Sequence, residues 1–229
     1  MNYILSPSAL NLMKECPRCF WLHHNKVWKR PSGIFPSLPS GMDRILKTHF
    51  DKFRDKGQLP PELCNKGKHC EDVKLFGSTK EEKELLEVWR NNKKGISFKD
   101  EEGNILKGAV DNLLEKDGEL IVLDYKTRGY ALKEDTAEHS RRQLDIYNFL
   151  LRKNGYKTKN YSFLLFYIPK EVLSTGEIIF DTELVKMETN PEEGEKFFKE
   201  ALKLLNGKCP EKHKHADCEW CRVIEAEAD

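Results

Sequence analysis

The sequence lacks a long apolar run and carries almost no net charge, and both absences restrict its function. No run of about 18 apolar residues occurs, and residues 1–12 lack the charged-then-apolar layout of a signal peptide. We therefore expect a soluble, cytoplasmic protein without a membrane partner. Because 39 basic residues are balanced by 38 acidic ones, for a net charge of +1, any surface that binds nucleic acid must be local.

Internal repeats and low-complexity segments are also absent, and a chain of 229 residues suits one domain of moderate size. The periodicity of the apolar residues predicts an α/β protein. Helices are predicted over residues 7–25, 42–54, 80–91, 137–154 and 191–205, and strands over residues 96–99, 161–168 and 177–187. Residues 31–40 and 56–77 are predicted to be irregular.

A β-hairpin is predicted around Asp117-Gly118, because both residues of this two-residue turn tolerate positive φ. The flanking segments, residues 105–115 and 119–126, are rich in Ile, Leu and Val and are predicted to be its two strands. In this register Lys116 faces Glu119, and each later pair keeps the same sum of residue numbers.

This register places two aspartates opposite each other. Asp111 meets Asp124, and Lys126 lies on the same face, opposite Ala109. Carboxylates so placed have Cβ atoms roughly 5 Å apart, and they repel unless one holds a proton or a cation lies between them. That cation is either Lys126, in a structural ion cluster, or a divalent metal held by both aspartates. The second interpretation indicates phosphodiester hydrolysis, with Lys126 beside the attacking water.

Three spaced motifs occur in the order seen in a known family. They are Gly108-x-x-Asp111, Asp124-Tyr125-Lys126 and Gln143-x-x-x-Tyr147. With the opening Ser-Pro-Ser-Ala-Leu-Asn-Leu-Met-Lys-Glu-Cys-Pro-Arg-Cys and the cysteines of the tail, the chain resembles the PD-(D/E)XK nuclease superfamily, specifically its RecB-like branch. The resemblance implies a restriction-endonuclease-like α/β fold, with a mixed central β-sheet flanked by α-helices, and residues 1–229 as a single nuclease domain.

The resemblance also implies the chemistry of the hairpin. Asp111 and Asp124 would bind Mg²⁺ or Mn²⁺ together with the backbone carbonyl of Tyr125, since hard divalent cations take oxygen ligands. Lys126 would position or activate the attacking water. The residues alone leave the structural ion cluster as the alternative.

Two helices are expected to reach this site. Gln143 and Tyr147 stand four residues apart on one helical face, and the resemblance places them beside the active site, in contact with the lysine or with DNA. Without the motif, the simpler interpretation is that Tyr147 is core and Gln143 solvated. The family also carries a histidine or acidic residue on an early helix after a glycine. Here Gly41 precedes Asp43, the first candidate for contact with the metal, and His49, the second.

Two Cys-x-x-Cys pairs, Cys16/Cys19 and Cys218/Cys221, lie near opposite ends of the chain. Four thiolates at such spacing suit tetrahedral zinc or a [4Fe–4S] cluster. The resemblance extends to CRISPR-adaptation exonucleases and AddB-type nucleases, in which an iron–sulfur cluster clamps the two termini of the domain. We therefore expect a structural metal that brings the N-terminal helix and the tail together, with zinc and free thiols as the alternatives.

The function implied by the resemblance is that of a Mg²⁺- or Mn²⁺-dependent deoxyribonuclease. It would be an exonuclease or a single-strand-directed enzyme of repair, recombination or defence, with DNA as substrate and a helicase or repair complex as a candidate partner. One alternative is a nucleic-acid-binding subunit that cleaves slowly or not at all. The other is a cysteine–metal scaffold for protein assembly. Candidate phosphate contacts near the site are Arg128, Lys133, Arg141 and Arg142.

Overall fold

The computed structural model describes residues 2–31, 33, 36–64, 72–211 and 218–221. The strands in this part of the chain are β1 (Ile4–Leu5), β2 (Lys74–Leu75), β3 (Ile96–Lys99), β4 (Ile105–Gly108), β5 (Asn112–Lys116), β6 (Glu119–Thr127), β7 (Tyr161–Val172) and β8 (Ile178–Glu188). The helices are α1 (Pro7–Glu15), α2 (Pro17–His24), α3 (Ser37–Arg54), α4 (Pro61–Cys64), α5 (Lys80–Arg90), α6 (Arg141–Lys153) and α7 (Pro191–Leu205). No described helix is long and apolar enough to cross a membrane.

The strands form two mixed sheets. The larger sheet has five strands in the order β2-β5-β6-β7-β8, in which β6 and β7 run parallel and the other neighbours antiparallel. The smaller sheet has three strands in the order β1-β4-β3, with β1 parallel to β4. A parallel pair needs a crossover connection, and α6 lies in the one between β6 and β7. The predicted fold class, mixed sheet with flanking helices, is confirmed.

Both faces of the larger sheet are buried at its centre, in β5 and β6. Because side chains alternate along a strand, Leu113 and Val122 pack on one face with apolar side chains of α6 and α7. Leu114, Ile121 and Leu123 pack on the other face with apolar side chains of α3 and α4. Burial on both faces explains why residues 120–123 of β6 form a continuous apolar run instead of alternating with polar residues.

The hairpin formed by β5 and β6 has the predicted register. Lys116 pairs with Glu119, and the ladder continues to Asn112 opposite Leu123. The two loop residues have φ values of 54° and 75°, as a two-residue turn of this kind requires. The turn chemistry and the apolar faces therefore determine this register locally.

The single strand predicted over residues 105–115 is wrong, because it is two strands in different sheets. β4 ends at Gly108 in the smaller sheet, and β5 begins at Asn112 in the larger one. Between them, the backbone N–H of Val110 donates to the carbonyl of Trp89, at the end of α5. This contact with a distant helix bends the chain from one sheet into the other.

The break changes how the two aspartates meet. Asp111 lies one residue beyond the last pair of the ladder, so the predicted strand pairs of Asp111 with Asp124 and of Ala109 with Lys126 are not formed. The two aspartates are nonetheless close, because Asp111 follows directly on from the end of the ladder.

The first predicted helix is also divided. Residues 7–25 form α1 and α2, separated at Cys16, which has φ −154° and ψ 100°. Pro17 causes the break, because the residue before a proline is disfavoured in the helical conformation. Ser6 caps α1 as predicted, since its hydroxyl accepts a hydrogen bond from the N–H of Ala9.

The remaining differences concern the ends of elements. α3 begins at Ser37 instead of residue 42, because Pro39 falls in the first turn, where its missing N–H costs no helical hydrogen bond. The segment predicted to be irregular over residues 56–77 contains α4 and β2. The helix predicted over residues 137–154 starts as a 3₁₀ turn at Ala137–Ser140 and then becomes α6.

Candidate active site

The carboxylates at the open end of the β5–β6 hairpin form the centre of the candidate site. Asp124 and Lys126 lie on the same face of β6, and the ammonium group of Lys126 is in direct contact with the carboxylate of Asp124. Asp111 lies beside them, and its Oδ2 accepts a hydrogen bond from the backbone N–H of Tyr125 at 2.9 Å. The side chain of Asp124 is 1% exposed and that of Asp111 is 22% exposed. The two carboxylates therefore share one recess that remains open to solvent at Asp111.

Helix α6 adds two polar side chains to this recess. The ammonium of Lys126 donates to Oε1 of Gln143 at 2.9 Å, and Nε2 of Gln143 donates to the hydroxyl of Tyr147 at 2.8 Å. Burial raises the pKa of Tyr147 well above its usual value, so the hydroxyl stays protonated. Tyr147 is buried, as the simpler interpretation expects, but its hydroxyl also fixes the amide that holds Lys126.

Gly108 is required for this arrangement. A Cβ atom at this position would lie 2.7 Å from Cε1 of Tyr147, well inside van der Waals contact. The glycine at the start of the Gly-x-x-Asp motif therefore allows the tyrosine ring to pack directly against β4. Its role is to admit the ring that orients Gln143, not to provide a flexible backbone.

Helix α3 reaches the same recess through Asp43 and Lys47, which stand four residues apart and so share one helical face. The ammonium of Lys47 lies 2.9 Å from Oδ2 of Asp43 and 3.7 Å from Oδ1 of Asp111. His49 projects elsewhere, and its Nε2 lies 3.0 Å from Oε1 of Glu62. Of the two early-helix candidates, only Asp43 is therefore near the aspartates of the hairpin.

The charges in the recess are unbalanced. The carboxylates of Asp43, Asp111 and Asp124 are accompanied by two ammonium groups, those of Lys47 and Lys126. Burial, followed by the charge of Asp124, raises the pKa of Asp111 to about 7. Burial also raises the pKa of Asp124, although Lys126 opposes the effect. A further cation would relieve this repulsion, so the charges of the recess favour the binding of a cation.

Arg90, which the sequence interpretation missed, anchors Asp111 from behind. Its Nε donates to the backbone carbonyl of Asp111 at 3.0 Å, and its Nη1 lies 2.8 Å from Oδ1 of Asp51. The same carboxylate is in contact with Arg54, which is also buried. The sequence does carry a signal for the burial of these arginines, because both occupy the buried stripe of an amphipathic helix. Arg54, for example, follows Phe50 by four residues.

Arg54 extends this support to the other side of the hairpin. Its Nη2 donates to Oδ1 of Asn112 at 2.5 Å, and Nδ2 of Asn112 donates to the hydroxyl of Tyr125 at 2.7 Å. Asn112 and Tyr125 are the neighbours in sequence of Asp111 and Asp124. The charged network of α3 and α5 therefore fixes the backbone on which both aspartates stand.

Comparison with known families places the chain in a superfamily. A family model described as the PD-(D/E)XK nuclease superfamily matches residues 4–226. The chain belongs to the PD-(D/E)XK nuclease superfamily. A search of curated proteins gave no match. Members of this superfamily are generally hydrolytic nucleases, which implies a nucleic-acid substrate.

Nucleases of this superfamily use divalent metals, and the recess offers oxygen donors to such an ion. The carboxylates of Asp43, Asp111 and Asp124 are oxygen donors, which Mg²⁺ and Mn²⁺ prefer. The excess of negative charge described above acts in the same direction. The backbone carbonyl of Tyr125 is the further ligand that the sequence interpretation predicts.

A second candidate metal site lies where α1 meets α2. The Sγ atoms of Cys16, Cys19, Cys218 and Cys221 all lie within 4.8 Å of one another, and no other described set of three or more metal-binding side chains is grouped in this way. These four cysteines can hold a metal ion or cluster. Burial opposes ionisation of Cys218, but hydrogen bonds from the N–H of Cys221 and from Arg30 lower its pKa to about 7.

The other cysteines are outside this group. The Sγ of Cys209 faces the carbonyl of Pro210 at 3.7 Å, and Cys64 is exposed on α4. Cys70 lies outside the described residues. The predicted quartet is thus the set that the fold brings together.

The raised pKa of Asp111 predicts how stability depends on pH. The folded protein keeps a proton at this carboxyl until pH about 7, whereas the unfolded chain releases it near pH 3.8. The free energy of unfolding therefore falls as pH rises between these values, by about 1.4 kcal/mol for each pKa unit. Without added divalent ion, we expect the melting temperature to fall from pH 5 to pH 8, and to fall less in Asp111→Asn. Asp55→Asn, on the surface beside Lys83, is the control and should leave the decline unchanged over this range.

The support from Arg90 predicts a large loss of stability in Arg90→Met. The substitution leaves the carbonyl of Asp111 without this donor and removes the buried guanidinium from its ion pair with Asp51, whose side chain is 39% exposed. Because solvent screens this partly exposed pair, we expect a loss of about 1–3 kcal/mol, which urea unfolding would measure. Lys83→Ala removes an exposed pair with Asp55 and should leave the unfolding transition almost unchanged. Equal losses in the two variants would contradict the role of Arg90.

Proposed function

We propose that this protein is a Mg²⁺- or Mn²⁺-dependent deoxyribonuclease of the RecB-like branch. It acts as an exonuclease or on single-stranded DNA, in repair, recombination or defence. The observation that carries the proposal is the fixed ammonium of Lys126, held between the carboxylate of Asp124 and the amide of Gln143. A lysine fixed beside two acidic residues suits phosphodiester hydrolysis, where a water must be oriented and phosphate charge offset.

Each residue of the recess has a definite task in this proposal. Asp111 and Asp124 hold the divalent ion, with Asp43 and the carbonyl of Tyr125 as further oxygen donors. When bound, the ion supplies charge stabilisation and makes a water more acidic. Lys126 donates a hydrogen bond to the attacking water and faces the charge that grows on the phosphate oxygens.

Gln143 and Tyr147 act through the lysine. Without the acceptor Oε1 of Gln143, the flexible side chain of Lys126 would be held only by its contact with Asp124 and would lose its defined direction. The hydroxyl of Tyr147 fixes the orientation of the Gln143 amide so that its oxygen faces the lysine. We therefore assign both as positioning residues.

A groove of about 360 Å³ lies beside this pair, and we infer that a strand of nucleic acid approaches the site along it. It is bordered by Gln143 and Tyr147, by the start of α1 and by the backbone of β4 near Gly108. Lys107 adds a basic side chain to its wall. Contacts of this kind would position a phosphate backbone without reading its sequence.

The second candidate function is a DNA-binding subunit that cleaves slowly, in complex with a helicase or another repair protein. Lys47 is the observation that favours it. Its ammonium lies between Asp43 and Asp111, where it competes with a divalent ion for the same carboxylates. Strong binding of Mg²⁺ would require this ammonium to move away.

Cleavage assays separate the two functions. The native protein and the variants Asp124→Ala and Lys126→Ala are each incubated with end-labelled single-stranded DNA, double-stranded DNA or RNA. Each reaction contains Mg²⁺ or Mn²⁺. We expect DNA cleavage that falls by at least about 100-fold in both variants, the lower limit for loss of acid–base assistance. The control is Lys157→Ala, an exposed lysine whose backbone pairs with Leu120, at the far end of β6. DNA retention without cleavage by the native protein would favour the binding subunit.

The packing of Gly108 against Tyr147 yields a separate prediction. In Gly108→Ala the new methyl group displaces the ring, so Gln143 loses its partner and Lys126 its orientation. We expect the cleavage rate to fall by about 10-fold or more, and stability to fall by about 1–3 kcal/mol through overpacking. Gly129→Ala is the matched control, because a Cβ there meets no atom within 4 Å. An unchanged rate in Gly108→Ala would show that Tyr147 does not position the site.

A further inference from the structure

The distances within the cysteine quartet distinguish between the two kinds of metal centre that four thiolates can hold. We propose that Cys16, Cys19, Cys218 and Cys221 bind a single Zn²⁺ ion and not an iron–sulfur cluster. The inference is independent of the proposed nuclease activity, since it concerns a separate group of side chains at the junction of α1 and α2.

The distances between the Sγ atoms are close to the edge lengths of a small tetrahedron. The Sγ of Cys16 lies 3.5 Å from that of Cys221, and the Sγ of Cys19 lies 3.6 Å from that of Cys218 and 3.8 Å from that of Cys221. A zinc–sulfur bond of about 2.3 Å gives a tetrahedron whose edges measure about 3.8 Å. The quartet is therefore close in size to a mononuclear zinc site.

A [4Fe–4S] cluster is too large for this space. Each of its four cysteines binds a different iron at the corner of a cube, so the ligand sulfurs lie on the order of 6 Å apart. In this protein all four Sγ atoms lie within 4.8 Å of one another. To admit the cluster, the quartet would have to open on every side, and α2 and residues 218–221 would have to separate.

The surroundings suit a closed structural site. Three of the four cysteines are buried, and the fourth, Cys218, is half-buried. A zinc ion with four thiolates has a net negative charge, which nearby donors can offset. Nη2 of Arg30 lies 3.5 Å from the Sγ of Cys218, and the N–H of Cys19 donates to the Sγ of Cys16 at 3.4 Å. With all four positions filled by protein, such an ion has no open position for catalysis.

Neighbouring contacts show which segments of the chain the ion would join. Arg18 donates to the carbonyl of Pro210 at 3.1 Å, and the indole N–H of Trp21 donates to the carbonyl of Gly207 at 3.0 Å. These bonds already join α2 to the segment that follows α7. The zinc ion would add residues 218–221 to the same joint and hold the end of the described chain against α1 and α2.

Metal analysis of the native protein tests the proposal. The protein is purified in air and again without oxygen, and zinc, iron and acid-labile sulfide are quantified beside the visible spectrum. We expect about one zinc ion per chain in both preparations, as a four-cysteine site binds, and no absorbance band at about 400 nm. Replacement by Co²⁺ should give the visible bands of a tetrahedral thiolate site. Stoichiometric iron and sulfide, or a folded protein without bound metal, would overturn the proposal.

Substitutions locate the ion. Cys218→Ser should lower the zinc content at least 10-fold, whereas Cys209→Ser should retain it, because Cys209 lies outside the quartet. Since Cys218→Ser risks misfolding, Arg30→Gln provides a second measure. Loss of this donor should speed zinc release to a chelating dye by about 10- to 100-fold while the circular dichroism spectrum is retained. An unchanged rate of zinc release would show that Arg30 does not stabilise the site.

One further variant keeps the two proposals apart. Asp124→Ala should lose nuclease activity and keep its full zinc content, because Asp124 belongs to the other site. Zinc loss in this variant would mean that the ion is held at the aspartates and would contradict the assignment to the cysteines. A zinc-replete native protein without nuclease activity would refute the proposed function alone.

Discussion

The repulsion between Asp111 and Asp124 is the constraint on which the surrounding structure depends. The two carboxylates share a recess in which burial raises the pKa of both. Lys126 and Lys47 offset part of this charge from opposite sides, one on β6 and one on α3. The imbalance that remains would be relieved by a divalent cation, which is why we propose that the recess binds one.

Two layers of contacts hold these carboxylates in place. Behind them, Arg54 and Arg90 share the carboxylate of Asp51 and bond to the hairpin at Asn112 and at the carbonyl of Asp111. This layer is buried and charged, and it fixes the backbone. In front, Lys126, Gln143 and Tyr147 form a line of hydrogen bonds from β6 to α6. A site supported from both sides loses little entropy when it binds a substrate.

The cysteine quartet is expected to have a structural role, unlike the acidic recess. It lies where α1 ends and α2 begins, and the break between these helices places Cys16 at a turn instead of inside a helix. As a result, the Sγ of Cys16 can accept a hydrogen bond from the N–H of Cys19 while both thiols face the tail. Pro17, which causes the break, thereby contributes to the candidate metal site. A metal bound here would stabilise the junction of α1, α2 and residues 218–221.

The amino-acid sequence by itself determined what depends on local chemistry. The turn at Asp117-Gly118 defined the register of its hairpin, and the cap at Ser6 and the helical spacing of Gln143 and Tyr147 were also readable. The resemblance to the family added the chemistry expected of Asp111, Asp124 and Lys126, because it depends on residue types and their spacing, which can be read directly from the sequence.

Only the tertiary structure decided what depends on contacts between distant segments. The chain leaves one sheet for the other between β4 and β5 because α5 takes its backbone hydrogen bonds there, and no local pattern marks such a contact. Arg90 and Lys47 reach Asp111 from helices that lie far from it in sequence. The separation of the four sulfur atoms, on which the proposal of zinc rests, likewise arises from the packing of residues 218–221 against α2. Spacing along a chain predicts which side chains share a face, whereas the distance between faces is a property of packing.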